Sequence, residues 1–215
     1  MAQCTAFTPE EIALRERVSL KLAFSTHEYI HTYSPTRRTG KAAVFAYNGV
    51  VFNKLQAKTF SPSELEFAQS HLRILSALYG ILRPLDLIQP YRLDMTSGMV
   101  YGLYDYWRNT VSREVATLLK EDDNLLINLT SGEYFKLLDF KLLPKKTRVI
   151  TPVFKYLYHG KYTVNSLFAK QARGWMTRFI IENQITDPEH LQAFTEGGYF
   201  FRPELSGDTE WVFTR

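Results

Sequence analysis

Apolar positions along this chain fall into two patterns: stripes with helical spacings of three and four, and short unbroken runs of strand length. Thr8-Pro9-Glu10-Glu11 combines a capping box with proline at the first helical position, and predicts a helix to about residue 24. Ser61-Pro62-Ser63-Glu64 repeats that signature. Leu65, Ala68, Leu72, Leu75 and Leu78 then form one apolar stripe, which predicts a helix ending at Gly80. Prolines 84 and 90 bracket a second, short helix over residues 84–89. Further helices are predicted from about residue 107 to 119, from 134 to 138, over 167–183, and briefly after Asp187-Pro188-Glu189. In the helix over 167–183, Phe168, Ala172, Trp175, Met176 and Phe179 share the apolar face.

Strand signals lie between these helices. Residues 41–55 read as two apolar runs about an Asn48-Gly49 turn, with a strand entering a short helix as the alternative. The run 125–129 predicts a buried strand. Residues 147–154 and 155–166 predict strands joined through His159-Gly160, and 198–202 with 211–214 predict a terminal hairpin. Strands alternate with helices, so the class expected is α/β, in one domain over residues 1–215.

Charge changes this picture more than composition does. The net charge is only +4, but residues 136–178 hold ten basic side chains against one acid, Asp139. That segment therefore carries +9 and the remainder −5, an asymmetry that points to a polyanionic partner. The opposing possibility is a solvated surface whose charges do not converge. No apolar stretch approaches the length of a membrane helix. A single cysteine, Cys4, and a start without the pattern of a secretory signal point to a reducing cytoplasm. His27 and His31 stand four apart without a third ligand nearby, so neither a metal nor any other cofactor is expected.

Phosphate-loop, dinucleotide-binding, nucleophile-elbow and zinc-protease motifs are absent from the chain. The distinctive segment is residues 73–94. Read as helix, glycine turn and second helix, it has the layout of a helix-hairpin-helix over about 61–90, whose turn amides and following helix N-terminus would meet a phosphate. Leu82 stands where such hairpins usually carry a second glycine, and the plain reading is a helix that ends at Gly80.

Residues 75–86 (Leu-Ser-Ala-Leu-Tyr-Gly-Ile-Leu-Arg-Pro-Leu-Asp), with Gln89-Pro90-Tyr91-Arg92-Leu93-Asp94-Met95, resemble the hallmark of the bacterial YaaA peroxide-stress family. Residues 128–136, 170–183 and 196–201 are similar to it in the same order. The resemblance implies a cytoplasmic protein that protects against hydrogen peroxide and limits free iron. It also implies a family-specific mixed-sheet fold flanked by helices, and binding of duplex or branched DNA through a basic cleft and a helix-hairpin-helix. Family members begin some forty residues earlier, with a strand and a Ser-Pro-Ala-Lys motif that have no counterpart here. Lack of that strand would open a sheet edge and remove a lysine from the cleft. Val50 also replaces an expected Asp after Gly49.

Together these readings assign DNA contact to Tyr79, Gly80, Ile81, Arg83, Arg92, Lys136, Lys155, Lys170, Arg173 and Arg178. No recognition helix is evident, so binding is expected to tolerate any sequence. Lys170, Arg173 and Thr177 share one helix face, although Arg173 and Arg178 would equally suit pairing with Glu133, Glu182 or Asp86. The alternative function is an enzyme acting on a small anionic or nucleotide substrate, in a pocket of Ser131, Glu133 and Tyr134 with Lys170, Arg173 and Arg92. Direct iron handling is the weakest reading, since no ligand spacing is visible.

Overall fold

The two capping boxes form as the sequence predicts in a computed structural model that describes residues 1–37 and 39–215. Helix α1 (Pro9–Glu16) starts on Thr8, whose side chain accepts from the Glu11 amide while the Glu11 carboxylate accepts from the Thr8 amide. It stops sooner than expected. Arg17 turns left-handed at φ 53°, and Ser19 caps a separate helix, α2 (Leu20–Thr32).

Residues 41–55 follow the alternative reading. Strand β1 (Lys41–Ala42) lasts two residues and gives way to helical turns α3 (Ala43–Ala46) and α4 (Val50–Leu55). Helix α5 (Pro62–His71) then ends at Leu72, which is extended. The residues that continued its stripe instead form an antiparallel hairpin, β2 (Ile74–Ser76) with β3 (Gly80–Leu82). Ser76 drives the change: its Oγ accepts from the amides of Leu78 (3.2 Å) and Tyr79 (2.9 Å), closing a turn that competes with helix. Gly80 takes φ +76°, the positive value expected, but at a strand entry and not at a helix terminus. Residues 84–89 are likewise not a helix. Asp86 turns the chain by accepting from the Arg83 amide at 2.7 Å, and β4 (Leu87–Ile88) pairs with β1. The segment expected to be a helix-hairpin-helix is thus a helix followed by a β-hairpin and a turn.

The remaining elements are α6 (Leu103–Glu121), β5 (Leu125–Ile127), α7 (Gly132–Phe135), β6 (Arg148–Tyr158), β7 (Lys161–Thr163), α8 (Ser166–Glu182), β8 (Phe200–Phe201) and β9 (Glu210–Thr214). They build a mixed sheet of order β5-β6-β9-β8. β5 and β9 run parallel to β6, β8 is antiparallel to β9, and β7 folds back on the far end of β6. The second edge of β5 carries no strand among the described residues. The architecture is the mixed α/β arrangement flanked by helices that the sequence predicts.

Apolar side chains form three clusters. Ile150, Phe154 and Phe213 from the sheet meet Ala172 and Met176 of α8 with Leu191, Phe194 and Tyr199. A second cluster packs α1, α2 and α6 around Ile12, Ala23, Val111 and Leu137. The third joins Val44, Leu55, Ala68, Ile74, Leu82 and Ile88 to Ile181 of α8. Gly174 allows α8 to lie directly on α4, since a Cβ there would stand 2.3 Å from the Val51 carbonyl oxygen.

Candidate nucleic-acid interface

The chain leaves β5 at its carboxyl end, the end at which ligands commonly gather in parallel sheets, beside Ile150 and Thr151 of β6. Asn128 extends the β5 ladder by donating its amide to the Ile150 carbonyl at 2.8 Å. Its side chain then organises the loop: Nδ2 donates to Thr151 Oγ1 (3.2 Å), and Oδ1 accepts from the Thr130 amide and hydroxyl (3.1 and 2.7 Å). This delivers Ser131, Glu133 and Tyr134 at the following short helix, α7.

Two of these three residues are bound into neighbouring chain. Glu133 Oε1 accepts from the Met95 amide at 3.0 Å, and the Glu133 carbonyl accepts from the Tyr104 hydroxyl at 3.1 Å. Tyr134 is half-buried, and its phenol is pushed far up by burial first and then by the charges of Asp94 and Glu133. Tyr91 is raised further, by burial and by Tyr47. Its hydroxyl stands 2.6 Å from that of Tyr47 and 2.7 Å from Ser76 Oγ. The structure therefore joins Tyr134 and Glu133 to Tyr47, Tyr91, Asp94 and Met95. Sequence reasoning missed Tyr47, Tyr91 and Asp94 as neighbours of the site; the motif spanning residues 89–95 was the only signal for two of them. Arg92 lies beside this network, with a buried Nε that has no hydrogen-bond partner.

The β2–β3 hairpin adjoins this network, with the Tyr79 ring edge-on to Tyr91 at 5.5 Å, but its residues lack the expected phosphate-binding geometry. The Tyr79 amide is occupied by Ser76, and its hydroxyl accepts from the Gln89 amide at 3.1 Å. The Arg83 amide donates to Asp86, although the Arg83 side chain is exposed. Gly80 and Ile81 belong to the β2–β3 ladder, and a Cβ on Gly80 would meet the Trp107 ring at 2.6 Å. No helix N-terminus follows the turn.

The basic residues divide into tied and free. Arg178 is built into the scaffold: it donates to Leu55 O (3.1 Å) and Thr59 Oγ1 (2.9 Å), and pairs with Glu182 at 2.5 Å. Arg148 pairs with Glu189 at 3.2 Å. Among the described residues, Lys136, Lys155, Lys170 and Arg173 have no carboxylate within ion-pair distance. Lys136 and Lys170 are exposed, while Lys155 and Arg173 are half-buried. Burial alone lowers the Arg173 guanidinium below its ordinary range. The face shared by Lys170, Arg173 and Thr177 runs from solvent to a buried threonine, whose hydroxyl donates to the Arg173 carbonyl at 2.8 Å.

The sequence model of a family described as peroxide stress protein YaaA matches residues 1–205. The chain belongs to the YaaA peroxide stress family. Its role is accordingly in the oxidative-stress response. Among the described residues no helix is long and apolar enough to cross a membrane, and no group of three or more His, Cys, Asp or Glu is placed to hold a metal. His27 and His31 do share a helix face, with rings 4.1 Å apart. A recess of about 530 Å³, lined by Arg148, Glu189, Phe201, Asp208 and Trp211 among others, includes none of the candidate residues. A second, of about 230 Å³, includes Tyr79 with Tyr33, Arg37 and Gln89.

Proposed function

We propose that this YaaA-family protein acts under peroxide stress by binding duplex or branched DNA, without sequence preference, through the basic side chains around β6 and α8. Binding of that kind protects DNA and limits iron-driven damage to it. The observation that carries the reading is the set of cations without carboxylate partners, Lys136, Lys155, Lys170 and Arg173, within the segment of charge +9. Polyanion contact gives such groups the counter-charge that the fold does not supply. The enzyme reading draws less support. Glu133 is held by a backbone amide, Tyr134 is kept protonated by burial, and neither recess contains Ser131, Glu133 or Tyr134.

Gel-shift titrations with duplex, bubble and junction DNA across salt concentrations test the proposal. Four neutralised phosphates give a slope of log K against log salt of about −3.6, and Lys170→Ala reduces that slope by about 0.9. Absence of binding at low salt, or a slope near zero, overturns it.

A further inference from the structure

The β6–β7 hairpin reaches beyond the sheet and exposes apolar side chains on both of its faces. His159 (φ 48°) and Gly160 (φ 75°) form its two-residue turn. The register pairs Tyr158 with Lys161, Leu157 with Tyr162 and Tyr156 with Thr163. Side chains alternate along a strand, so Tyr156 and Tyr158 lie on one face and Leu157 and Tyr162 on the other. Tyr156 is anchored edge-on against Phe168 of α8, with ring centres 5.2 Å apart. Beyond that anchor Tyr158 is 55% exposed, Leu157 56% and Tyr162 43%. Val164 and Leu167 continue the apolar surface toward α8, at 55% and 50%.

Exposed aromatics at this density mark a surface that meets a partner. Charge indicates which partner. Lys155 sits at the base of the hairpin, Lys161 at its tip, and Lys170 one helical turn beyond Leu167. None of the three has a carboxylate within ion-pair distance among the described residues, and no acidic residue occurs between positions 140 and 181. Flat rings interleaved with unpaired lysines suit a strand with free base faces and a phosphate backbone, because any base stacks on a phenol ring while the ammonium groups track phosphates. A protein surface would have to match these lysines with acids at fixed positions. A duplex hides its base faces and would meet only the lysines.

We infer that the β6–β7 hairpin is a stacking element for unpaired bases of a nucleic-acid strand that wraps its tip, with Tyr158 as the platform on one face, Tyr162 as the platform on the other, and Lys155, Lys161 and Lys170 as the phosphate contacts. The inference rests on the DNA-binding reading and adds to it a separate subsite for single-stranded segments, on a hairpin remote in sequence from Gly80.

Fluorescence anisotropy of the full chain, with a labelled oligothymidylate of about 15 nucleotides and a labelled blunt duplex, tests it. Tyr158→Ala and Tyr162→Ala each weaken oligothymidylate binding about tenfold, while duplex binding stays within about twofold. Tyr158→Phe retains wild-type affinity, because stacking needs the ring and not the hydroxyl. Both side chains are exposed, so the variants keep the wild-type melting temperature. Duplex binding by the wild type, with oligothymidylate affinity unchanged in both alanine variants, overturns the hairpin site and leaves the DNA reading standing. Failure of the wild type to bind either probe removes the DNA reading itself. Equal losses on both probes overturn the stacking assignment in favour of a general contact. A wild-type dimer that Tyr158→Ala converts to monomer also overturns it, by assigning the surface to a second copy of the chain.

Discussion

Gly80→Ala isolates the cost of a side chain at the turn of the β2–β3 hairpin. The backbone there has φ +76°, where an L-residue costs about 1 kcal/mol. The new methyl group would also stand 2.6 Å from Cε3 and Cζ3 of Trp107. That ring cannot swing aside freely, because its Nε1 donates to the Ala77 carbonyl at 2.8 Å. Overpacking of this kind costs a further ~1–3 kcal/mol. The expected loss is therefore about 2–4 kcal/mol, or roughly 5–15 °C in melting temperature for a chain of this size. Gly102→Ala is the control: its φ is +73°, but nothing lies within 4 Å of the added carbon, so only about 1 kcal/mol is at stake. Urea denaturation of both variants separates backbone strain from the clash. Trp107→Leu in the Gly80→Ala background should then cost less than the sum of the two single changes. Equal stabilities for Gly80→Ala and Gly102→Ala, within about 0.5 kcal/mol, would refute the packing argument.

Three further outcomes follow from the site. Arg178→Ala removes charged hydrogen bonds to Leu55, Thr59 and Glu182 and should destabilise by about 2 kcal/mol, with the duplex salt slope unchanged; a reduced slope would return Arg178 to the DNA-contacting set. Arg173→Met takes away a half-buried cation that has no carboxylate partner, so chemical denaturation should show stability unchanged or raised while duplex affinity falls; a loss of about 3 kcal/mol or more would instead reveal a structural partner. Tyr47, Tyr91 and Tyr134 hold their protons more tightly folded than unfolded, so their stabilisation is complete below about pH 10 and is lost as pH rises further, by up to about 1.4 kcal/mol per pH unit for each. Denaturation at pH 8 to 11 checks this, and Tyr91→Phe should flatten the alkaline decline.

Legibility in the sequence depended on how local each determinant was. The capping boxes at Thr8 and Ser61 involve side chains three residues apart, and both appear where they were read. The His159-Gly160 hairpin and the helix Ser166–Glu182 were equally plain, one from its turn residues and the other from its apolar face. The error lay at Leu72, Leu75 and Leu78, whose spacing satisfies a helix. It persisted because Ser76 decides the outcome through two backbone amides, a competition that periodicity does not register. Pairing of β1 with β4 joins residues some forty-five positions apart through two-residue strands, too short to leave a pattern.

At the site the difficulty was one of partners. Glu133 and Arg178 have the residue types of a functional pocket, and only their contacts show that one holds the Met95 amide and the other closes the end of α4. The same test works in the opposite direction for Arg173. A guanidinium that is partly withdrawn from water, with burial as the sole cause of its lowered pKa, destabilises a fold unless something anionic meets it. The fold supplies no carboxylate within ion-pair distance of Arg173 among the described residues, and Arg92 separately has a buried Nε without a hydrogen-bond partner. On the proposed DNA-binding reading, a half-buried cation without a carboxylate partner is the group that phosphate contact would relieve most. That is why Arg173, more than the exposed lysines in the same segment, bears on whether the charge of +9 serves a ligand.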